Sequence, residues 1–185
     1  MLQIAQEFPV TEDEYAELDK KFGKLAHKAA WQLIKKNNRT NHTDEQQDVV
    51  QNLRIAMLRA GSYYKRQVYI EDCFDKCEEH VEDEFIGEIV KELKNLWKNK
   101  TRHGANRQKY GPHQEEILEK IIKKHVPVTN RPRKDRPLRI DSKFGVYCKA
   151  ITWNAQKSMG KKITREKSIR AGQVSLSEFD YLGGE

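Results

Sequence analysis

LAHKAAWQLIKKNNRTNHTDEQQDVVQNLRIAMLRAGSYYKR, residues 25–66, is the stretch on which the fold turns. Apolar residues return along it every three or four positions, the period of an α-helix. Upstream, Tyr15, Leu18 and Phe22 carry the same stripe into Leu25, Ala29 and Leu33. Thr11 and Glu14 stand at capping-box spacing, so a helix is expected over about residues 12–36. The polar run NNRTNH closes it. A second capping box, Thr43 and Gln46, opens another helix, with Val50, Leu53, Met57 and Ala60 inward and Gly61 as its stop signal.

Working outward, residues 1–10 read as a loose arm ending at Pro9. Residues 71–92 are acidic. Phe85, Ile86, Ile89, Val90, Leu93, Leu96 and Trp97 then predict a strongly amphipathic helix over about 81–98. The basic, glycine-broken stretch 98–112 reads as a loop, and a short helix is expected from His113 to His125. VPVTNRPRKDRP, residues 126–137, reads as extended. Ser142 is placed to cap a last main helix with Phe144, Tyr147 and Ile151 on one face, ending near Met159 where Gly160 permits a stop. Strand signals are scarce, and no Gly-rich phosphate loop is present. The expected fold class is all-α: about five helices, a long insert and an extended C-terminal tail. Its expected divisions are 1–67, 68–138, 139–167 and 168–185.

The 185 residues carry a net charge of +7 with a pI near 9.2, and 34% of them are charged. A polyanion is the partner such a balance favours. No apolar run approaches the roughly 20 residues needed to span a bilayer, so no membrane partner is expected. MLQIAQEFPVTEDE lacks the basic start and apolar stretch of a signal peptide. Three cysteines, Cys73, Cys77 and Cys148, fit a reducing compartment better than a disulfide framework.

Cys73, Cys77 and His80 have ligand-type side chains, but their spacing lacks the second close pair of a structural zinc site, and His103 would have to come from a distant loop. A buried cysteine pair beside a helix is the plainer reading, with no metal or other cofactor. His103, Asn106 and His113 suggest a nuclease, yet the strands of a metal-nuclease scaffold are missing. The protein is not expected to be an enzyme.

FGVYCKAITWNAQKSMGKKITREK, residues 144–167, sets three large aromatics and an asparagine ahead of a run of cations. The plain reading is core aromatics followed by a wet helix end. The sharper one is chemical. Aromatic faces stack on unpaired bases, worth about 1–3 kcal/mol per base. An asparagine fits a base edge, and cations behind it grip phosphates.

Two separated blocks resemble the sigma-70 family of transcription factors. Asp48, Val49, Gln51 and Leu58 to Ala60, followed by Tyr63 and Tyr64, fall where that family has its polymerase-docking helix. Asn52 and Leu53 replace its usual acid and glycine. Phe144-x-x-Tyr147, seven residues before Asn154, is similar to the family's promoter-melting helix. Ala150 and Ile151 stand where primary members have two tryptophans. Tyr147, Trp153, Asn154 and Ala155 are closer still to the small late-transcription members of T-even-type phages. About 70 residues, 68–138, separate the blocks where the family needs a short turn, and too few follow Met159 for a second promoter-reading domain.

The resemblance implies a factor that docks on core RNA polymerase, at the clamp helices of its beta-prime subunit, through Asp48, Gln51, Asn52, Arg54 and Arg59. It implies promoter DNA held by Lys143, Phe144, Tyr147, Lys149, Trp153, Asn154, Lys157, Lys161, Lys162 and Arg165. It also implies a sliding clamp met by Gln173, Leu176, Phe179, Tyr181 and Leu182 of QVSLSEFDYLGGE, a co-activator, and residence in a bacterial host's cytoplasm. Rival readings are a polymerase-binding regulator that never reads DNA, and a small basic DNA-binding protein.

Overall fold

The computed structural model describes the backbone of residues 2–36, 43–99 and 110–182. Side chains are described within these as far as Ile169, apart from Leu2, Gln3, Ala5, Lys36, residues 43–46, Ile163, Glu166 and Lys167. The protein is all-α. Its helices are α1 (Leu2–Glu7), α2 (Glu12–Lys36), α3 (Thr43–His80), α4 (Glu84–Asn99), α5 (Pro112–His125) and α6 (Ser142–Leu182), with one 3-10 turn, Val128–Asn130. No strand occurs among the described residues.

The chain divides into two compact units, neither of them continuous in sequence. Met1–Pro9 joins Ser62–Leu138 in what we call the insert unit; Val10–Gly61 joins Arg139–Glu185 in the frame unit. The boundaries between the units fall after Pro9, Gly61 and Leu138. Residues 1–9 and 62–67 thus belong to the insert unit.

The largest departure from expectation lies at Gly61, which does not end its helix. A glycine costs a helix interior about 1 kcal/mol relative to alanine. Beyond it, Tyr64, Tyr69, Ile70, Cys73, Phe74 and Cys77 are all buried on α3's later turns. Each large apolar side chain buried contributes roughly 1.5–3 kcal/mol, so packing outweighs the local signal. Tyr69, Ile70, Cys73, Phe74 and Cys77 meet Val90, Leu93 and Trp97 of α4 and Leu118, Ile121 and Ile122 of α5 in one cluster.

The expected loose arm is instead the short helix α1, and Phe8 behind it is fully buried. The Phe8 ring lies 5.4 Å from that of Tyr69, and Lys65 Nζ donates to Pro9 O at 2.8 Å. Those contacts give an arm with little helix signal of its own a place to pack. α4 begins at Glu84 rather than near Val81, because Asp83 Oδ1 accepts from Ile86 N and caps it (3.1 Å). The proline- and arginine-rich segment is held by Arg131, whose guanidinium donates to Val126 O (3.0 Å) and Lys123 O (2.6 Å) at the end of α5.

Cys73 and Cys77 are free and fully buried; burial pushes their thiols up to about 12 and about 11. Cys148, in the frame unit, is likewise free, buried and pushed up to about 11. All three should stay protonated and shielded at pH 8. Iodoacetamide at that pH should label none in the native protein and all three in denaturant, read by intact mass. Rapid native labelling of any of them would show that its pocket is open.

In the frame unit the Thr11–Glu14 capping box forms as expected: Thr11 N donates to Glu14 Oε2 (2.8 Å) and Glu14 N to Thr11 Oγ1 (3.3 Å). The Thr43–Gln46 pair lies outside the described side chains. Leu18, Ala26, Ala30, Leu53, Met57, Phe144 and Cys148 are buried. α2 and α6 pack with residue numbers rising together. Phe22 meets Phe144 edge-on (5.9 Å, 71°), Gln156 reaches Ala29, and Leu33 lies beside Gly160. The pair is therefore parallel.

α6 differs from expectation at both ends. Its cap is Asp141, not Ser142: Asp141 Oδ1 accepts from Phe144 N (2.9 Å) and its carbonyl from Gly145 N (2.9 Å). Gly160 does not stop it, nor is the tail extended, since the helix runs to Leu182. A Cβ on Gly160 would stand 3.2 Å from Leu33 Cδ1. The glycine therefore serves close helix packing rather than termination.

Candidate nucleic-acid interface

From Lys143 to Arg170 the sequence carries eight Lys or Arg and one carboxylate, Glu166. On α6, Phe144, Cys148 and Thr152 make a core face, all fully buried. Thr152 Oγ1 donates to Cys148 O (2.8 Å), so this hydroxyl adds nothing to the surface. Tyr147, helped by Phe144 or Trp153, is expected to hold a base. Phe144 belongs to the core instead, at 0% exposure, and does not reach solvent. Tyr147 is half-buried at the border of that face.

The opposite face of α6 is open. Trp153 is 53% exposed and Val146, two turns earlier on the same stripe, is 69% exposed. Lys143, Lys149, Asn154, Lys157, Lys161, Lys162 and Arg165 are exposed as well. Lys157 Nζ sits 5.4 Å from the Trp153 ring centroid. At an exposed site such a cation–π contact is worth about 0.5–1 kcal/mol. The ring is thus held with one face toward a cation, not sealed by packing.

Trp153, Lys157, Lys161 and Arg165 line one groove of about 960 Å³, with Gln32 and Leu33 of α2 across from them. Gln156, Gly160, Thr164 and Ser168 also line it, and among the described residues no carboxylate enters it. Its volume lies at the upper end of the roughly 300–1,000 Å³ of ligand clefts. An aromatic platform, three cations and an open trough are what a single nucleic-acid strand needs. The structure therefore gathers four of the DNA-binding candidates. Lys143, Lys149, Asn154 and Lys162 lie outside that lining.

A second exposed face runs along the first half of α3. Asp48, Gln51, Asn52 and Arg59 point to solvent, while Val50 and Leu53 are buried, as the helical stripe required. Arg54 departs from this set. Its guanidinium pairs with Asp19 of α2: Nη2 donates to Oδ2 (3.1 Å), and Nε lies 3.0 Å from Oδ1 in ionic contact. Gly23 makes room for that carboxylate, since a Cβ there would come within 2.8 Å of Asp19 Oδ1. Arg54 thus ties α3 to α2. Ile55, which sequence reasoning passed over, is 38% exposed between Asn52 and Arg59. The available signal was an isoleucine outside the buried stripe of Val50, Leu53 and Met57.

Gln173, Leu176, Phe179, Tyr181 and Leu182 fall within the α6 backbone, but their side chains lie outside the described residues. His103 and Asn106 lie outside them as well, and His113 is exposed on α5. His80 accompanies the two buried cysteines only as far as the end of α3, where its Nε2 is 3.0 Å from Asn130 Nδ2. Among the described residues no three His, Cys, Asp or Glu side chains gather so as to hold a metal ion, and no helix is long and apolar enough to cross a membrane. Comparison with protein-family models, with curated proteins and with solved structures finds no match to this chain.

Proposed function

We propose that the chain is a sigma-like initiation factor that binds core RNA polymerase and opens a viral late promoter, with the frame unit doing both. The observation that carries this reading is the groove in which the exposed Trp153 stands beside Lys157, Lys161 and Arg165. A base that leaves a duplex loses its stacking at a cost of a few kcal/mol. Stacking on an indole returns about 1–3 kcal/mol per base, and the cations hold the phosphates on either side. Trp153 takes the platform role, because Phe144 is enclosed and Tyr147 half-enclosed. Asp48, Gln51, Asn52, Ile55 and Arg59 form the face offered to polymerase, on the beta-prime clamp helices. Bond-making belongs to the polymerase, and the factor needs no cofactor.

Run-off transcription tests the reading. The full chain is mixed with host core polymerase and a late-promoter template, with and without sliding clamp and co-activator. Promoter-specific transcripts are expected. Their absence, with inhibition of a host holoenzyme, would replace the reading by that of a regulator. Their absence together with tight DNA binding and no polymerase binding would replace it by that of a plain DNA-binding protein.

A further inference from the structure

We propose that the outward face of α2 is a second nucleic-acid contact, continuous with the groove: Trp31 takes an unpaired base of the strand that leaves the groove, and Lys24, Lys28 and Lys35 hold its phosphates. This rests on the reading of the groove as a nucleic-acid site and extends that site onto a second helix.

From Lys20 to Lys36 the sequence carries six lysines and no Asp or Glu. The inward positions of α2, Leu18, Ala26, Ala30 and Leu33, are buried. Lys24, Lys28, Trp31 and Lys35 turn the other way and are exposed. Lys21 is set apart by its ion pair with Glu17 (2.7 Å). Lys24 has Lys20, Lys21, His27 and Lys28 at its helical neighbour positions, and Lys28 has Lys24, Leu25, Trp31 and Gln32. Like charges one turn apart repel within a helix, and a bound chain of phosphates offsets that repulsion.

Trp31 is 56% exposed, and Lys35 Nζ lies 4.9 Å from its ring centroid. Trp153 and Lys157 of the groove show the same arrangement, with the cation again four residues on. Gln32, in the groove lining, joins the two places. Trp31 precedes it, and Lys28 and Lys35 stand four before and three after it, its neighbours on the helix surface. A strand crossing Gln32 therefore passes from the cations of α6 to those of α2. The face also selects its occupant. A helix that lies on a membrane offers lipid an apolar face, whereas the apolar face of α2 is turned inward. A nucleic-acid strand uses both parts of the outward face, its bases on the indole and its phosphates on the lysines.

The experiment measures binding of the full chain to fluorescent oligothymidylates of about 6 and about 20 residues at several salt concentrations. The long strand should give a log–log salt slope of about −4, from six phosphate contacts, and the short strand, held in the groove, about −2. Lys24→Gln/Lys28→Gln/Lys35→Gln should bring the long strand's slope to about −2. Trp31→Ala should weaken that strand about tenfold without changing its slope. Both changes should leave the short strand's affinity as it was, and circular dichroism should show the helices intact. Lys120→Gln/Lys123→Gln/Lys124→Gln removes the same charge from exposed positions of α5 and should leave the long strand's slope at about −4. An equal loss there, or a long strand that ignores the α2 variants, overturns the proposal and leaves the groove reading in place. Variants of α2 that weaken binding to core polymerase instead of strand binding would assign the face to a protein partner and overturn the proposal likewise. Binding of the short strand that ignores Trp153→Ala, or no binding of either strand, overturns the groove reading and the proposal with it.

Discussion

Phe144→Ala should lower the unfolding free energy by about 3–5 kcal/mol, the usual cost of truncating an enclosed phenylalanine. The ring has 0% exposure and meets Phe22 edge-on. The methyl left by the substitution would face a cavity that the rigid α2–α6 pair cannot close. Phe144→Leu keeps most of the volume and should cost less than about 1.5 kcal/mol. Urea unfolding of the two variants measures the difference. Strand affinity of folded Phe144→Leu should match that of the unaltered chain. A fall in affinity without a fall in stability would place the ring on the DNA, contrary to its position in the core.

Trp153→Ala should do the reverse. Half of the indole is already in water, so stability should change by no more than about 1 kcal/mol. Affinity for single strands should fall about 5- to 150-fold, the equivalent of the 1–3 kcal/mol of one stacked base. Lys157 occupies one side of the ring, but its contact is worth less than a base, so a base should displace it. The freed ammonium is then at hand for a phosphate. With Lys157, Lys161 and Arg165 each neutralising one phosphate of a single strand, log affinity against log salt should slope at about −2. In transcription, Trp153→Ala should abolish opening of a duplex template and spare a template with a preformed bubble. Equal loss on both would mean that Trp153 serves something other than strand capture.

The helices and their inward faces were legible in the sequence wherever a stripe was long. α2, the first half of α3, α4 and α5 follow directly from residues such as Leu18, Leu53, Val90 and Leu118. The signals that misled were single residues. Gly61 and Gly160 read as stops, yet both helices continue, because burial of Tyr64, Ile70 and Phe74 outweighs one glycine and because Leu33 occupies the space over Gly160. Ser142 and Asp141 both suit a cap; only the backbone path decided for Asp141. Phe144, Tyr147 and Trp153 look alike as aromatic residues on one helix, and their periodicity does not say which turns inward. For Ile55 the sequence offered one signal, its place outside the buried stripe of Val50, Leu53 and Met57, and nothing in its chemistry marks it as a site residue.

By itself, the order of residues determined an all-helical chain, its basic late segment, and the pairing of an indole with cations one turn apart, because these depend on contacts within a few residues. The tertiary structure alone decided that Met1–Pro9 packs with Ser62–Leu138, that Phe144 is enclosed while Trp153 is open, and that α2 forms the far wall of the groove. Those outcomes depend on which distant surfaces meet. Burial energy summed over many side chains settles that, and no local pattern encodes the sum.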